Sequence, residues 1–394
     1  MAAASNAQTK VCVFGSGTFG TALGTVIARN GFTVTLLTRR DNVAASINTQ
    51  HVNPQHLTDC KLPPLLSATT SAEEALAGCC FIVHCIPVQS TADFLKPYKD
   101  LIPSNVPIIS TSKGLHSETL ETMAELVPRI LGTPQPMAFL SGPTFAKELM
   151  EGFPSGAVMA SEDMKVADAC AHLFHCNALR IYTTTDVIGV EIGGALKNVY
   201  AVAAGAAEGM GLGVNTTAFL VTRACAEMNV LAVAMGARAH TMAGLSGIGD
   251  LMLTCMGGAS RNKAVGARIG KGESLKSILE SRKASLDGVA EGVATAPAVA
   301  KLVKKLGMDA PIALAMAAVL DGSTNMQQAI MMLMQRPRGE DFSAIAHQAE
   351  EKLRQRCLIG PLGVSARAWA GLAMAQAVLV VGLAGAFALQ RRAR

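Results

Sequence analysis

The first half of the chain alternates short, continuous apolar runs with segments of helical hydrophobic periodicity. Continuous apolar runs of about five residues are typical of strands buried on both faces of a parallel sheet. The alternation of strands and helices favours a doubly wound parallel sheet, an α/β fold, over residues 1–190. The predicted strands are 10–14, 33–37, 80–87, 107–111, 137–140, 155–161 and 178–184.

Beyond Val187 the strand pattern stops, and Ala, Leu, Met and Gly recur at helical spacing. This pattern predicts an all-α second domain over residues 191–360, with a ligand cleft between the two domains. The predicted helices are 187–209, 215–236, 261–270, 290–306 and 312–335.

Residues 366–390, near the end of the chain, contain a long uncharged and mostly apolar stretch. About 20 such residues span a bilayer as a helix, so this segment is a candidate transmembrane tail with the rest of the chain in the cytoplasm. Trp369 and Arg391 flank it as interfacial anchors do, and Gly382 and Ala386 have the spacing of helix pairing. The alternative is a helix buried in the protein or in an oligomer. We expect a homodimer.

The composition restricts the classes of function. Hydrophobic residues make up 50% of the chain and charged residues 16%, which is enough apolar material for two cores. Four of the net +5 charges are arginines of the C-terminal tail, so nucleic-acid binding has no support from the body of the chain. The 10 cysteines form no CxxC pair, and we expect a reducing compartment and no metal site. The N-terminus has no apolar signal core, so we expect no presequence.

A glycine-rich segment, GSGTFG, follows the first predicted strand and precedes a helical pattern. In a dinucleotide site the first glycine permits a tight turn, the second lets backbone N–H groups approach the pyrophosphate, and the third allows close helix packing. The order of strand, glycines and helix therefore predicts binding of NAD or NADP; the alternative is a flexible turn. The residues of this turn are Gly15, Ser16, Gly17, Thr18, Phe19 and Gly20.

Two arginines, Arg39 and Arg40, follow the second predicted strand. An NAD-selective site has a carboxylate there for the ribose hydroxyl, whereas an arginine can stack on adenine or pair with the 2′-phosphate of NADP. The alternative is a solvated pair of charges. The sequence leaves the choice between NAD and NADP open.

Polar residues also follow two later strands. Ser112 and Lys113 come directly after strand 107–111, where a lysine can meet an anionic or carbonyl group. The alternative is an ordinary surface lysine. After the strand ending at Leu140, Ser141 or Thr144 can cap the next helix and present N–H groups to an anion; the alternative is a capped helix with no ligand.

Lys197 lies in a long, small-residue-rich helix that begins the second half. A lysine in an apolar helix can lay its stem on apolar surface and keep its ammonium in water. A lysine removed from water at a domain junction instead has a lowered pKa and can accept a proton near neutrality. The helix alone is compatible with both interpretations.

Two later segments supply polar partners for Lys197. The segment GLSGIGDLMLTC places Asp250 and Thr254 four residues apart, on one face of a helix. The segment GGASRN places Arg261 and Asn262 at a predicted helix start. Together these residues provide a candidate base, a carboxylate to position it and a guanidinium suited to bidentate phosphate binding.

These motifs resemble the glycerol-3-phosphate dehydrogenase family, the soluble nicotinamide-dependent kind. The resemblance implies a Rossmann domain followed by a helical domain, and reversible hydride transfer between sn-glycerol 3-phosphate and dihydroxyacetone phosphate. The matching motifs are GSGTFG from Gly15, SKG from Ser112, SGPTFAKE from Ser141, GGALKNV from Gly193, GLSGIGDLMLTC from Gly244, SRN from Ser260 and VAEGVAT from Val289.

The resemblance also implies roles for the matching residues. Lys197 would accept the proton of the C2 hydroxyl, Lys113 would polarise the C2 oxygen, and Asp250 would orient Lys197. A carboxylate such as Glu291 at a helix start is also favoured by the helix dipole alone. The candidate substrate contacts are Lys113, Asn198, Thr254, Arg261 and Asn262, the last two at the phosphate. The candidate cofactor contacts are Gly15 to Gly20, Arg39, Lys113, Ala146, Arg261, Val289 and Glu291.

Two other functions stay open at the level of sequence. A related two-domain NAD(P)-dependent dehydrogenase would act on a different small hydroxy acid, which the SRN motif and the paired lysines disfavour. A catalytically silent, membrane-tethered NAD(P)-binding protein would not need the lysine pair. Each of these functions has a small molecule as its partner.

Overall fold

The computed structural model describes Asn6, residues 8–285 and residues 290–337, and these belong to one compact unit. The predicted domain boundary near residue 190 stays a prediction. Three predictions lie wholly or partly outside the described residues, namely the cofactor contact Val289, the end of the helical domain 191–360 and the transmembrane tail 366–390.

One sheet of eight strands forms the first part of the fold. The strands are β1 (Lys10–Phe14), β2 (Thr33–Leu37), β3 (Leu66–Thr69), β4 (Phe81–His84), β5 (Ile108–Ser110), β6 (Met137–Ser141), β7 (Ser155–Ala160) and β8 (Leu179–Thr184). Their order in space is β3-β2-β1-β4-β5-β6-β7-β8, and every neighbouring pair is parallel except β6 and β7. The predicted Rossmann-like sheet is confirmed, and its strand order reverses between β1 and β4, where such sheets bind ligands.

Two features of the sheet differ from the sequence prediction. The pattern misses β3 because its four residues alternate in burial at the sheet edge instead of forming a continuous apolar run. Strand β7 runs antiparallel to β6, and the connection between them contains the six-residue helix Ala146–Glu151. Such a helix is about 9 Å long, whereas a five-residue strand is about 17 Å long. The helix is therefore too short to return the chain to the starting edge of the sheet.

Helices cover both faces of the sheet. Val11 and Val13 of β1 belong to one buried apolar cluster, and Cys12 and Phe14 belong to the other, as expected for a sheet buried on both sides. The helices of the first part are α1 (Thr18–Arg29), α2 (Asp41–Gln50), α3 (Ala72–Leu76), α4 (Val88–Leu95), α5 (Met123–Leu131), α6 (Ala146–Glu151) and α7 (Met164–Phe174).

The chain is helical from Val187 onward in the described residues. The helices are α8 (Val187–Gly209), α9 (Val214–Ala234), α10 (Ala239–Met242), α11 (Asp250–Met256), α12 (Arg261–Gly270), α13 (Leu275–Ser285), α14 (Glu291–Leu306), α15 (Pro311–Leu320) and α16 (Met326–Met334), with a π-helical segment at Leu245–Gly249. The predicted single helix 312–335 is wrong, because the chain turns at Gly322, which has φ +82°. Asn325 and Gln328 then form a capping box that starts α16.

Glycines allow α12 to approach α8 closely. A Cβ atom on Gly205 would lie 1.9 Å from the carbonyl oxygen of Lys263, and one on Gly266 would lie 2.0 Å from that of Val202. Any larger residue at these positions would push the two helices apart. The contact brings the start of α12 beside the middle of α8, where Lys197 lies.

Helices α8 and α9 are the described segments long and apolar enough to cross a membrane by length and composition alone. Within the protein, 89% of the apolar window of α8 is buried, against 50% for α9. Burial in the core therefore accounts for the apolar composition of α8.

Candidate active site

Two lysines from distant parts of the chain share one buried carboxylate. Lys113 Nζ and Lys197 Nζ each donate a hydrogen bond of 2.5 Å to Asp250, one to each carboxylate oxygen. Lys197 Nζ also donates to Thr254 Oγ1 at 2.9 Å. Asp250 is only 1% exposed, so the carboxylate is removed from water along with its partners. We call Lys113, Lys197, Asp250 and Thr254 the two-lysine centre.

Three elements position the two-lysine centre. Lys113 follows β5 at the edge where parallel strands end, Lys197 lies in α8, and Asp250 is the first residue of α11. Thr254 lies one helical turn after Asp250 and donates to its backbone carbonyl at 2.6 Å, as the four-residue spacing predicts. The π-helical segment before α11 needs Gly247, because a Cβ there would lie 2.1 Å from the carbonyl oxygen of Met242.

The electrostatics of this centre bring the pKa of Lys197 close to neutrality, so that part of the population carries a neutral amine near neutral pH. Burial lowers the pKa of Lys197 to about 8; Asp250 opposes this shift, and the nearby Lys113 ammonium adds to it. Burial alone would raise the pKa of Asp250, but the two lysines hold it below its ordinary value. The carboxylate therefore stays charged while one of its lysine partners can exchange a proton.

An amide network adjoins the two-lysine centre. Asn262 Nδ2 donates to Asn198 Oδ1 at 2.9 Å, and Asn262 Oδ1 accepts from the backbone N–H of Gly292 at 2.9 Å. These bonds fix both predicted substrate residues and join the starts of α12 and α14 to α8. They leave the second Nδ2 hydrogen of Asn262 for another acceptor.

Arg261 and Glu291, at the starts of these helices, lie near the lysines. Burial raises the pKa of Glu291, and the charges of Arg261, Lys113 and Lys197 oppose that rise. The side chain of Arg261 is exposed, whereas Glu291 is half-buried. The structure thus brings Arg261 and Glu291 close to each other and to the two lysines.

The glycine-rich turn has the geometry that a dinucleotide requires. Gly15 has φ +100°, and a Cβ on Gly20 would lie 2.1 Å from the carbonyl oxygen of Gly15. At Gly17, the N-cap of α1, a Cβ would meet no atom of the described residues within 4 Å, and no described side chain caps the helix. Open space and uncapped N–H groups at a helix N-terminus suit a pyrophosphate. Ser16 Oγ is held by Thr38 Oγ1 at 2.8 Å.

Sequence reasoning missed a loop that supports this turn. Asn53 is fully buried, and its Nδ2 donates to the carbonyl of Ser16 at 2.9 Å and to Thr21 Oγ1 at 2.8 Å. Its Oδ1 accepts from the backbone of His56 at 3.2 Å. The dipeptide Asn53-Pro54 signals a turn, but nothing local indicates what the turn packs against.

Sequence reasoning also missed His56, which lies close to the glycine-rich turn and to two arginines. Its Nδ1 lies 3.3 Å from Thr18 Oγ1. Burial lowers the pKa of His56, and the positive charges of Arg261 and Arg40 lower it further. Two arginines from separate segments, Arg40 and Arg261, therefore lie close to His56 at the start of α1.

Other predicted cofactor residues have different surroundings. Phe19 and Ala146 pack against an apolar cluster of the core, and Arg39 is exposed after β2. The prediction that Ser141 or Thr144 caps the next helix is wrong. Ser141 is the last residue of β6, the hydroxyl of Thr144 donates to Gly142, and α6 has no capping side chain among the described residues.

The sequence matches the two parts of one enzyme family. Residues 10–167 match the N-terminus of NAD-dependent glycerol-3-phosphate dehydrogenase, and residues 186–331 match its C-terminus. The chain belongs to this family. The glycerol-3-phosphate dehydrogenase [NAD(P)+] of Oleidesulfovibrio alaskensis is 42% identical over 333 residues, which cover 84% of this chain and 100% of the relative.

Other members of the glycerol-3-phosphate dehydrogenase family agree with this assignment. The chloroplastic glycerol-3-phosphate dehydrogenase [NAD(+)] of Oryza sativa subsp. japonica is 46% identical over 335 residues, covering 84% of this chain and 75% of the relative. The crystal structure of glycerol-3-phosphate dehydrogenase from Coxiella burnetii superposes with a TM-score of 0.78 at 30% identity, covering 83% of this chain and 99% of that one. The family match ends at residue 331, before the apolar tail.

In the described residues, no group of three or more His, Cys, Asp or Glu side chains is placed to hold a metal ion. The polar groups of the candidate site are instead lysines, an arginine, amides and carboxylates.

Proposed function

We propose that this protein is an NAD(P)-dependent glycerol-3-phosphate dehydrogenase that interconverts sn-glycerol 3-phosphate and dihydroxyacetone phosphate. Family membership supports the reaction, and the two-lysine centre carries the proposal for its mechanism. When bound, NAD(P) would supply the hydride acceptor or donor for C2.

We propose Lys197 as the group that moves the proton. In the oxidation of glycerol 3-phosphate, its neutral amine takes the C2 hydroxyl proton as the hydride leaves C2. In reduction, its ammonium returns the proton to the C2 oxygen. The pKa near 8 suits both directions, since both protonation states are populated close to neutral pH.

Lys113 and Asp250 complete the proposed chemistry. Lys113 donates a hydrogen bond to the C2 oxygen and stabilises the negative charge that develops there. Asp250 holds both lysines at a fixed separation and offsets their mutual repulsion. Thr254 orients the Lys197 amine by accepting its second hydrogen bond.

We propose that Arg261, Asn262 and Asn198 bind the substrate. The Arg261 guanidinium can bind two phosphate oxygens at once. Asn262 offers its second Nδ2 hydrogen to the phosphate, and Asn198 orients Asn262. The exposed Arg261, close to both His56 and Glu291, is positioned to contact substrate and cofactor together.

The dinucleotide is proposed to bind along the glycine-rich turn, in the first of two domains that meet near residue 190. The N–H groups at the start of α1 would hold the pyrophosphate, with Arg39 at the adenosine end. Ala146, Val289 and Glu291 are further proposed contacts of the cofactor. Family relatives bear the names NAD(+) and NAD(P)+, so either cofactor fits.

A steady-state assay tests this function. Dihydroxyacetone phosphate should support oxidation of NADH, NADPH or both, measured at 340 nm, whereas small 2-oxo acids should not. Turnover of a 2-oxo acid in preference to dihydroxyacetone phosphate would favour the related hydroxy-acid dehydrogenase. Cofactor binding without turnover would favour a non-catalytic binding protein.

Substitution of two neighbouring glycines should separate folding from cofactor binding. Gly20→Ala places a methyl group 2.1 Å from a backbone oxygen and should lower Tm by several degrees. Gly17→Ala meets no described atom and should leave Tm unchanged, but it should raise the Kd of NADH by about tenfold by filling the space of the pyrophosphate. Thermal melts and fluorescence titration measure both effects. Unchanged NADH affinity in Gly17→Ala would contradict the assignment of the turn.

We also propose that residues 366–390 anchor a cytoplasmic catalytic body to a membrane, and that the chain forms homodimers. The length and apolar character of the segment support the anchor. The helix-pairing spacing of Gly382 and Ala386 supports dimerisation.

The full-length protein should sediment with membranes after lysis without detergent. Leu379→Arg places a charge in the middle of the apolar stretch, at a cost of about 3 kcal/mol for insertion, and should move part of the protein to the soluble fraction. Leu333→Arg, outside the stretch, is the control. A wild-type protein found entirely in the soluble fraction would refute the anchor.

A further inference from the structure

A small cavity borders the side chain of Lys113. Its lining includes Ser110, Ser141, Glu191 and Gly194, together with Lys113 itself. The volume of the cavity is about 10 Å³, which is roughly the space for one water molecule. The cavity adjoins the two-lysine centre, but the proposed reaction does not use it.

Three buried oxygen atoms in this lining have no hydrogen-bond partner among the described residues. They are Ser110 Oγ, Ser141 Oγ and Glu191 Oε2. Ser110 is 2% exposed and Ser141 is 5% exposed, so these hydroxyls have no access to bulk water. A buried polar group without a partner costs about 1–3 kcal/mol. Three such groups around one cavity make it a site for an ordered water, which needs two to four polar partners.

The other oxygen of Glu191 joins the two segments that carry the lysines. Glu191 lies in α8, six residues before Lys197, and its Oε1 accepts from the backbone N–H groups of Met123 at 2.7 Å and Ala124 at 3.2 Å. These residues begin α5, the helix that follows the loop containing Lys113. One carboxyl therefore fixes the end of the Lys113 loop to the helix that carries Lys197.

The cavity also borders the stem of Lys113. A Cβ on Gly194 would lie 3.2 Å from Ser141 Oγ and 3.4 Å from Cγ of Lys113. A water bound between Ser141 and Glu191 would therefore lie close to the methylene groups of Lys113 and restrict their movement. Loss of this support would let the Lys113 ammonium move away from Asp250.

We propose that Glu191 is a positioning residue for the two-lysine centre, acting through its bond to the start of α5 and through an ordered water shared with Ser110 and Ser141. This inference rests on the proposed function, because Lys113 and Lys197 are taken as the reacting pair. Burial raises the pKa of the Glu191 carboxyl to about 8, so a protonated Oε2 can also donate to the water near neutral pH.

A high-resolution crystal structure of the full-length protein tests the water directly. We expect an ordered water within hydrogen-bond distance of Ser110 Oγ, Ser141 Oγ and Glu191 Oε2. A cavity without electron density in well-ordered surroundings would overturn the water-mediated part of the proposal. This measurement does not depend on catalytic activity.

Three variants test positioning. Glu191→Gln keeps an acceptor for α5 and a polar group at the cavity, and it should retain kcat within about threefold. Glu191→Leu removes both and should lower kcat for glycerol 3-phosphate oxidation about tenfold, with the Kd of NADH unchanged. Ser141→Ala removes one of the three oxygen atoms that would bind the water, and it should also lower kcat. This variant tests the proposal if Glu191→Leu does not fold.

The pH profile separates positioning from a general loss of structure. The groups that interact electrostatically with Lys197 are Asp250, Lys113, Glu291 and Cys255. Because the charge of Lys113 lowers the pKa of Lys197, displacement of Lys113 lets that pKa rise. In Glu191→Leu the midpoint of kcat/KM for oxidation should therefore move about half a pH unit higher.

Glu227 provides a matched control. Like Glu191, it accepts hydrogen bonds from the first backbone N–H groups of a helix, here Ile312 and Ala313 of α15. It is 2% exposed and does not line the cavity. Glu227→Leu should lower Tm as Glu191→Leu does, without moving the pH midpoint. Equal midpoints in wild type and Glu191→Leu, or a Gln variant as impaired as the Leu variant, would overturn the positioning role. An inactive wild type would instead refute the proposed function.

Discussion

Lys197→Ala is expected to lower kcat for reduction of dihydroxyacetone phosphate about a thousandfold or more, a loss of at least about 4 kcal/mol in transition-state stabilisation. The amine is the proposed proton donor to the C2 oxygen, and its removal leaves no comparable group at that position in the described site. Binding of NADH should survive within about threefold, because the glycine-rich turn is separate from Lys197. Steady-state rates and a fluorescence titration of NADH measure the two effects.

Two further variants make this result interpretable. Lys197→Met keeps most of the side-chain volume and should lose as much activity as Lys197→Ala, which separates proton transfer from packing. Lys305→Ala removes an exposed lysine of α14 and should leave kcat unchanged. A turnover number close to wild type in either Lys197 variant would contradict the assignment of Lys197.

The sequence predicts the local geometry of the site better than its assembly. The four-residue spacing of Asp250 and Thr254 correctly predicts a shared helix face, because that contact depends on one helical turn. The meeting of Lys113 with Asp250 joins residues 137 positions apart. No local pattern encodes such a contact, and only the resemblance to a family brought these residues together.

Errors in the fold prediction arise where short polar segments decide the structure. The five residues between α15 and α16 stop one helix and start the next, although the flanking apolar periodicity continues. Strand β3 is too short and too exposed to produce a buried-strand pattern. Between α15 and α16, a few hydrogen bonds and the conformation of Gly322 outweigh hydrophobic periodicity.

The missed site residues have a similar explanation. Asn53 is fully buried because its amide bonds to the glycine-rich turn, and Glu191 is held by the start of α5. Each is a polar residue whose partner is a backbone group far away in the sequence. Composition and spacing carry no information on such a partner, whereas the accounting of buried hydrogen bonds identifies it directly.

Asp250→Asn is expected to have the second large effect, on stability and on pH dependence together. Lys113 and Lys197 have side chains only 14% and 8% exposed, and the substitution leaves them without their shared negative charge. Removing one member of a buried ion pair costs about 3–5 kcal/mol. Urea unfolding at pH 7 should show a loss of this size. Asp309→Asn, which breaks an exposed pair with Arg336, should cost less than about 1 kcal/mol.

The pH profile of Asp250→Asn should move in the direction opposite to that of Glu191→Leu. The Asp250 carboxylate raises the pKa of Lys197, against the larger lowering effect of burial. Without that charge the pKa of Lys197 falls further, so the rise of kcat/KM for glycerol 3-phosphate oxidation should occur at lower pH than in wild type. An unchanged or higher midpoint would show that the titrating group is not Lys197. Because the two substitutions shift one midpoint in opposite directions, through two charges of opposite sign near the same amine, a general loss of structure cannot produce both results.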